Sequence, residues 1–149
     1  MRVEVDQSGK VEQLNTDTVV VYSNGGSGAV WITAGTKRKI VQVVRKSLIP
    51  EEEMEALWFA VVVYLLVKDL PNGITFIIDE EYTGKNNIIE QALAKLLNLR
   101  FKDKWNGNIR FKLIGKLSPA HKLAWKWHRL KQKGGLRRLK EEEILKWLK

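Results

Sequence analysis

Apolar and polar residues alternate along the first third of the chain in the way typical of β-strands. Residues 2–6 (RVEVD) alternate between polar and apolar, and residues 18–23 (TVVVYS) are β-branched and aromatic. Residues 29–33 and 39–44 are also rich in β-branched side chains and together form a third predicted strand region. Turn signals containing glycine separate these segments at 8–9, 24–26 and 34–35. The pattern predicts three strands joined as an antiparallel meander.

Helices and strands alternate in the remainder of the chain. Three glutamates after Pro50 predict the start of a helix that runs to Lys68 and is apolar on all sides from Ala56 onward. Next come a strand over 74–78, an amphipathic helix over 86–97, an alternating strand over 109–114 and a helix that starts at 118–119. We therefore expect an α/β domain with a mixed five-stranded sheet, its first three strands antiparallel, and flanking helices. This domain is expected over 1–133, with a basic C-terminal helix or tail over 134–149 after a Gly-Gly break.

Length and composition exclude several classes of protein. A chain of 149 residues with 44% hydrophobic residues suits one domain with one core. Because the chain has no cysteine, it has no disulfide, no thiolate nucleophile and no Cys-ligated metal. The longest apolar run, 56–67, is shorter than the roughly 20 residues that span a bilayer, and the N-terminus has no apolar signal core. We expect a cytoplasmic protein with no membrane partner.

Charge is distributed unevenly along the chain. The net charge is +9, yet residues 1–94 carry nine Lys and Arg against thirteen Asp and Glu, while residues 95–149 carry seventeen against four. A basic surface attracts a polyanion by neutralising phosphates and releasing counterions. The sequence therefore predicts nucleic acid as the partner, with a solvated lysine-rich surface as the alternative.

Four ionisable residues lie where the pattern predicts a strand end or a helix start. Asp6 ends the first strand, Glu55 opens the central helix, Asp79 ends the most apolar strand, and His121 lies in the first turn of the late helix. In mixed α/β sheets such groups can converge on one cleft. Carboxylates that meet there repel one another unless a divalent cation bridges them, and oxygen ligands suit Mg²⁺ or Mn²⁺.

The same local sequences resemble the type 1 ribonucleases H, piece by piece and in order, over roughly residues 2–130. Residues 3–8 (VEVDQS) are similar to that family's first-strand Asp-Gly-Ser, 54–57 (MEAL) to its helical Met-Glu-Leu, and 79–82 (DEEY) to its Asp-Ser-x-Tyr. Residues 118–124 (SPAHKLA) resemble the family's helix bearing Asp followed by x-Leu-Ala, with His121 at the position of that Asp.

The resemblance implies a ribonuclease H fold and a metal-dependent nuclease. Asp6, Glu55 and Asp79 would bind Mg²⁺ or Mn²⁺, and His121 would assist as a fourth ligand or proton carrier. The implied reaction is hydrolysis of phosphodiester bonds in the RNA strand of RNA/DNA hybrids. Two alternatives stay open, namely a non-catalytic nucleic-acid-binding protein of the same fold and a Holliday-junction resolvase-like endonuclease, which would need a dimer.

Basic residues interleaved with tryptophans give the predicted nucleic-acid-binding surface. An aromatic side chain among bases can stack on a nucleobase or a sugar, although such residues can equally cap a small core. One group precedes the last strand and the other follows it: Lys102, Lys104 and Trp105, then Lys116, Lys122, Trp125, Lys126 and Arg129.

Overall fold

Six strands and five helices make up the part of the chain that the computed structural model describes, which is residues 1–24, 26–115, 118–129 and 136–148. The strands are β1 (Arg2–Ser8), β2 (Thr18–Ser23), β3 (Gly28–Ile32), β4 (Thr75–Asp79), β5 (Asn108–Lys112) and β6 (Arg137–Arg138). The helices are α1 (Ala34–Val44), α2 (Glu51–Val67), α3 (Asn86–Arg100), α4 (Pro119–Arg129) and α5 (Glu141–Leu148).

All six strands form one mixed sheet in the order β5-β4-β1-β2-β3-β6. The pairs β1–β2 and β2–β3 are antiparallel, whereas β4 runs parallel to β1 and β5 parallel to β4. The expected α/β class, the mixed sheet and the antiparallel first three strands are therefore confirmed. The expected number of five strands is wrong, because β6 pairs in parallel with the outer edge of β3.

The C-terminal segment is part of the same packed body. The Leu139 N–H donates to the Trp31 carbonyl at 2.9 Å directly after β6, and the Leu139 and Ile144 side chains are fully buried. Helix α5 packs against α1 and α2. Leu139 and helix α5 thus close one side of the core. The predicted Gly-Gly break at 134–135 lies outside the described residues.

Helix α1 replaces a predicted strand. Residues 39–44 are rich in β-branched side chains, but Thr33 caps a helix there by accepting from the Thr36 N–H at 3.1 Å. Ile40 and Val44, one helical turn apart, both turn into the core. Burial of this face overrides the modest strand preference of valine and isoleucine, so the strand expected over 39–44 is wrong.

A fully buried lysine of α1 fixes the connection between β1 and β2. The Lys37 Nζ donates to the Lys10 carbonyl at 3.2 Å, to the Thr18 hydroxyl at 2.9 Å and to the Gln13 carbonyl. Burial lowers the pKa of Lys37 to about 8. The three acceptors satisfy the donors of a side chain that would otherwise be too costly to bury.

Alternation along β1 sends its side chains to two different faces of the sheet. Val3 and Val5 face the large apolar cluster beneath α2, α3 and α5, whereas Glu4 and Asp6 face α4. Helix α2 is buried along most of its length, as its apolar sequence predicts. Within the described residues, no helix combines the length and the apolar character needed to cross a membrane.

Candidate functional site

Three carboxylates meet at the carboxyl ends of β1 and β4. These strands are parallel neighbours with Val5 opposite Ile78, so the next residues, Asp6 and Asp79, lie side by side. Glu81 follows two residues later, and one oxygen from each of the three acids lies within 4.8 Å of the others. We call Asp6, Asp79 and Glu81 the carboxylate cluster.

Hydrogen bonds from the surrounding structure fix each acid. The Asp6 Oδ1 accepts from the Gln7 N–H at 2.8 Å, and the Asp79 Oδ1 accepts from the Ile114 N–H at 2.8 Å. The Glu81 Oε2 accepts from the Gln7 side-chain amide at 2.9 Å. Gln7 itself is buried and bonded to the Tyr82 hydroxyl, so the donors are held in place by the packed sheet.

Electrostatics within the carboxylate cluster favour protonation. Burial, with the nearby Asp79 charge as the next cause, raises the pKa of Asp6 to about 6. Burial also raises the pKa of Glu81 to about 8, and the hydrogen bond to Asp79 adds to this. Asp6 is only 1% exposed, so water does little to screen the repulsion. A bound cation would relieve the cost of ionising these groups together.

Helix α4 lies along β1 and is joined to it at three points. The Ser118 hydroxyl donates to Glu4 Oε2 at 3.2 Å, and the His121 Nδ1 lies 3.2 Å from Asp6 Oδ2. Near the far end of the helix, the His128 Nδ1 lies 2.8 Å from the Ser8 hydroxyl. Glu4, Asp6 and Ser8 are two positions apart along β1, so their side chains share one face of the sheet. Their three contacts hold α4 in a defined register on the site.

His128 also reaches the loop after β1, where a glycine makes room for it. Its Nε2 lies 3.3 Å from the Thr16 hydroxyl. Gly9 beside it has φ +77°, and a Cβ there would lie 2.2 Å from the Asp17 carbonyl oxygen and 3.1 Å from His128 Nε2. Both ring nitrogens of His128 are therefore occupied by structural contacts.

Glu55 lies outside the carboxylate cluster. Its Oε1 is 2.6 Å from the Lys85 Nζ, so the carboxylate is held in an ion pair between α2 and the start of α3. Both residues line a separate cavity of about 520 Å³, together with Glu12, Arg45 and Trp58 among others. Of the four residues predicted for catalysis, the fold brings together Asp6, Asp79 and His121.

The outward face of α4, the helix that brings His121 to Asp6, carries a basic and aromatic stripe. It consists of four exposed side chains at helical spacing: Lys122, Trp125, Lys126 and Arg129. The Arg129 guanidinium lies over the Trp125 ring, 3.4 Å from its centroid. We call these four residues the α4 stripe.

The other predicted nucleic-acid contacts lie elsewhere. Lys102, Lys104 and Trp105 precede β5 at its amino end, where Asn108 pairs with Thr75. Four residues of strand, about 13 Å, separate that end of β4 from Asp79. Trp105 packs against the large core, and the Lys104 carbonyl accepts from Asn72 at 2.8 Å. These residues are not brought to the carboxylate cluster, and Lys116 lies outside the described residues.

Sequence reasoning missed Glu81 as a site residue. It was visible only as part of the Asp79-Glu80-Glu81-Tyr82 motif, in which three consecutive acids follow a buried strand. The backbone separates them: Glu80 is exposed and its Oε1 accepts from Asn86 at 3.0 Å, whereas Glu81 turns back onto Gln7. No periodicity in the sequence distinguishes the two glutamates.

No protein-family model matches the sequence, and no curated protein matches it.

Proposed function

We propose that this protein is a divalent-metal-dependent nuclease of the ribonuclease H type that hydrolyses phosphodiester bonds. The observation that carries the proposal is the convergence of Asp6, Asp79 and Glu81 within 4.8 Å, with His121 held against Asp6. The RNA strand of an RNA/DNA hybrid is the first substrate to test, because it is the one that the sequence resemblance implies.

Sheet topology supports a ribonuclease H-like fold. An antiparallel β1-β2-β3 meander is extended on the β1 side by two parallel strands, which gives the order β5-β4-β1-β2-β3 before β6 is added. The motifs that resemble the type 1 ribonucleases H fall on the elements expected for them: Asp6 on β1, Glu55 on α2, Asp79 at the end of β4 and His121 on α4.

The donor set is chemically suited to Mg²⁺ or Mn²⁺. Hard cations take carboxylate oxygens, and three acids crowded in a partly buried site gain from a bound positive charge. Asp6, Asp79 and Glu81 are the proposed ligands. Glu81 takes the place expected of Glu55, whose carboxylate is engaged by Lys85.

Each part of the site has a definite role in the proposed reaction. Asp6, Asp79 and Glu81 would hold such ions, whose chemistry there would be activation of a water molecule and stabilisation of the leaving oxygen. The resemblance to the type 1 ribonucleases H implies 3′-hydroxyl and 5′-phosphate ends. Asp6 holds the His121 ring through Nδ1, so Nε2 of this partly exposed histidine is the atom that would exchange a proton with substrate or solvent. The lysines and arginine of the α4 stripe would hold the phosphate backbone beside the cluster.

A second candidate function is nucleic-acid binding without cleavage. The α4 stripe favours it, because the stripe needs no metal and no acid to bind a polyanion. The imidazole of His121, at the position where the resembling family has an acid, would then serve only to hold α4 on Asp6.

Cleavage of labelled substrates distinguishes the two functions. An RNA/DNA hybrid, a four-way junction and single strands are incubated with Mn²⁺ or Mg²⁺ and wild-type protein, Asp6→Asn, Glu81→Gln or Glu55→Gln. Glu80→Gln is the matched control, because Glu80 is an adjacent but exposed glutamate bonded to Asn86. We expect metal-dependent cutting that is lost in Asp6→Asn and Glu81→Gln and kept in Glu80→Gln. Salt-sensitive binding with no cutting of any substrate would leave the binding function.

A further inference from the structure

Helix α4 covers only half of the sheet face on which Asp6 and Asp79 lie. It packs on β1 and β2, where the buried valines of β2 fill the space beneath it. Beyond β1 the same face continues over β4 and β5. Ile77 of β4 pairs with Glu4, which is bonded to Ser118 at the start of α4, and yet Ile77 is only half-buried. We call the uncovered face of β4 and β5 the open half of the sheet.

Two cations of β5 share the open half of the sheet with the carboxylate cluster. Lys112 pairs with Asp79, and paired residues of parallel strands send their side chains to the same face. Arg110, two residues earlier, shares that face, whereas Ile109 and Phe111 pack in the large apolar cluster on the other side. Neighbouring strands lie about 4.8 Å apart, so Lys112 is the first residue beyond Asp79 on this side.

Hydrogen bonds fix the backbone of Lys112 beside the cluster. Its carbonyl accepts from the Glu80 N–H at 3.0 Å, and the Ile114 N–H donates to the Asp79 Oδ1 at 2.8 Å. The side chains of Lys112 and Arg110 are exposed, and in the described part of the chain neither forms an ion pair with an acid. Two unpaired positive charges on this face are therefore free to bind an anion.

The α4 stripe faces the same open half. Ala120 and Ala124 pack on the valines of β2, and His121 and His128 reach β1. Successive helix residues are about 100° apart, so the two histidines lie about 70° round the helix from the two alanines. The α4 stripe lies about another 100° further in the same direction, which runs from β2 through β1 towards β4. We call the space between this basic wall and the two cations of β5 the basic groove.

Resting on the proposed nuclease function, we propose that Arg110 and Lys112 bind phosphates of the strand that is cleaved. That strand lies in the basic groove, between the α4 stripe and β5, with one phosphate at the carboxylate cluster. Same-face positions of a β-strand are about 7 Å apart, so the two cations contact different phosphates. The contacts neutralise the backbone whatever its base sequence, so they give affinity without sequence preference.

Binding of the full chain to an RNA/DNA hybrid over a series of salt concentrations tests this proposal. Fluorescence anisotropy is measured in EDTA, so that affinity is read without metal-dependent cutting. The variants are Arg110→Ala, Lys112→Ala, the double variant and Lys112→Arg. Lys95→Ala is the matched control, because Lys95 is an exposed lysine on α3, which packs on the other face of the sheet. Poly-glutamate is the comparison ligand that represents an acidic protein partner.

We expect Arg110→Ala and Lys112→Ala each to weaken binding about five- to tenfold near 0.1 M salt and to reduce the salt slope of log K by about one. The double variant reduces the slope by about two, because the two cations contact different phosphates. Lys112→Arg keeps the charge and most of the affinity. Lys95→Ala removes the same charge and leaves the affinity and the slope unchanged.

Cross-linking tests the position of the bound strand directly. Because the chain has no cysteine, Lys112→Cys, Lys126→Cys and Lys95→Cys each introduce a single thiol. The hybrid carries a mixed disulfide tethered to one phosphate, which exchanges with a thiol that lies close to it. We expect cross-links from Lys112→Cys on the floor and Lys126→Cys on the wall of the basic groove, and none from Lys95→Cys.

Unchanged affinity and salt slope in the double variant, an equal loss in Lys95→Ala, no measurable binding by wild type, or equal cross-linking from Lys95→Cys overturns the proposal. A loss confined to poly-glutamate overturns it in favour of an acidic protein partner. The same hybrid incubated with Mn²⁺ reports separately on the nuclease. Losses in Arg110→Ala and Lys112→Ala without cleavage by wild type would support the basic groove while overturning the nuclease function.

Discussion

The two faces of the sheet are held by different forces. Beneath α2, α3 and α5 a continuous apolar cluster fills the space, whereas the buried apolar residues described beneath α4 are Val19, Val21, Ala120 and Ala124. Helix α4 is held by this smaller cluster, with Leu123 and Trp127 packed against it, and by the polar contacts of Ser118, His121 and His128 with β1. The first face provides stability, and the second presents polar groups at a defined position, which is what a catalytic site requires.

The largest expected effect is on the stability of the apolar face. Phe59 of α2 is 1% exposed in the large cluster, so Phe59→Ala should lower the free energy of unfolding by about 3–5 kcal/mol. Leu99→Ala, at an exposed position of α3, should change it by less than about 0.5 kcal/mol. Urea denaturation measures both. Similar losses for the two variants would contradict the packing described for this face.

The next largest effect separates activity from stability on the α4 face. Asp6→Asn should reduce cleavage by about a hundredfold or more, because it removes a charged ligand from the proposed metal set. The same change should raise the melting temperature without metal, because it removes a buried, repelled carboxylate. Asp69→Asn, at an exposed acid paired with Arg100, should leave both unchanged. A variant that is both inactive and unstable would show that Asp6 has a structural role.

A smaller effect is expected from loosening α4. His128→Ala removes contacts to Ser8 and Thr16 and should cost about 1–2 kcal/mol of stability. Cleavage should fall more than binding of Mn²⁺, because His121 and the α4 stripe shift while the carboxylate cluster stays on β1 and β4. His128→Asn can keep a bond to Ser8 and should recover part of the loss. Unchanged cleavage in His128→Ala would show that the helix register is set without this residue.

The last effect is a pH dependence of the stability that Asp6→Asn gains over wild type. A folded-state pKa of about 6, above the ordinary value of 3.8, means that the folded protein binds more protons between these values. The stability that Asp6 contributes is thus present below about pH 4 and lost as the pH rises through 6. The difference between pKa values of 3.8 and about 6 corresponds to about 3 kcal/mol at pH 7. In EDTA, the melting temperature of Asp6→Asn minus that of wild type should therefore rise from near zero at pH 4 to roughly 6–12 °C at pH 7, at about 2–4 °C per kcal/mol for a chain of this size. A difference that does not vary with pH would rule out titration of Asp6 as its cause.

Local patterning was sufficient for most of the secondary structure, and it failed at two identifiable points. The valine-rich residues 39–44 belong to α1 because Ile40 and Val44 bury one helical face, a contact that propensity does not contain. The two-residue strand β6 has no periodicity to detect and exists because the edge of β3 lies beside it. Both errors arise where packing between distant segments decides the local conformation.

The candidate site could be predicted only as far as the ends of strands and the starts of helices could be predicted. Asp6, Asp79 and His121 stand at such positions, and parallel pairing of β1 with β4 brings the two aspartates together. The same argument applied equally to Glu55, which pairs with Lys85, and it could not choose between Glu80 and Glu81. The direction in which a side chain turns depends on its partners, and those partners are remote in the sequence.

The sequence by itself determined the α/β class, the antiparallel start of the sheet and the concentration of positive charge after residue 94. These properties depend on hydrophobic periodicity and composition, which are local or summed quantities. Only the tertiary structure decided that Glu81 joins Asp6 and Asp79, that Lys102 and Lys104 lie at the opposite end of the sheet, and that α4 brings His121 onto Asp6. Each of these depends on contacts between residues far apart along the chain, whose geometry is fixed only when the core packs.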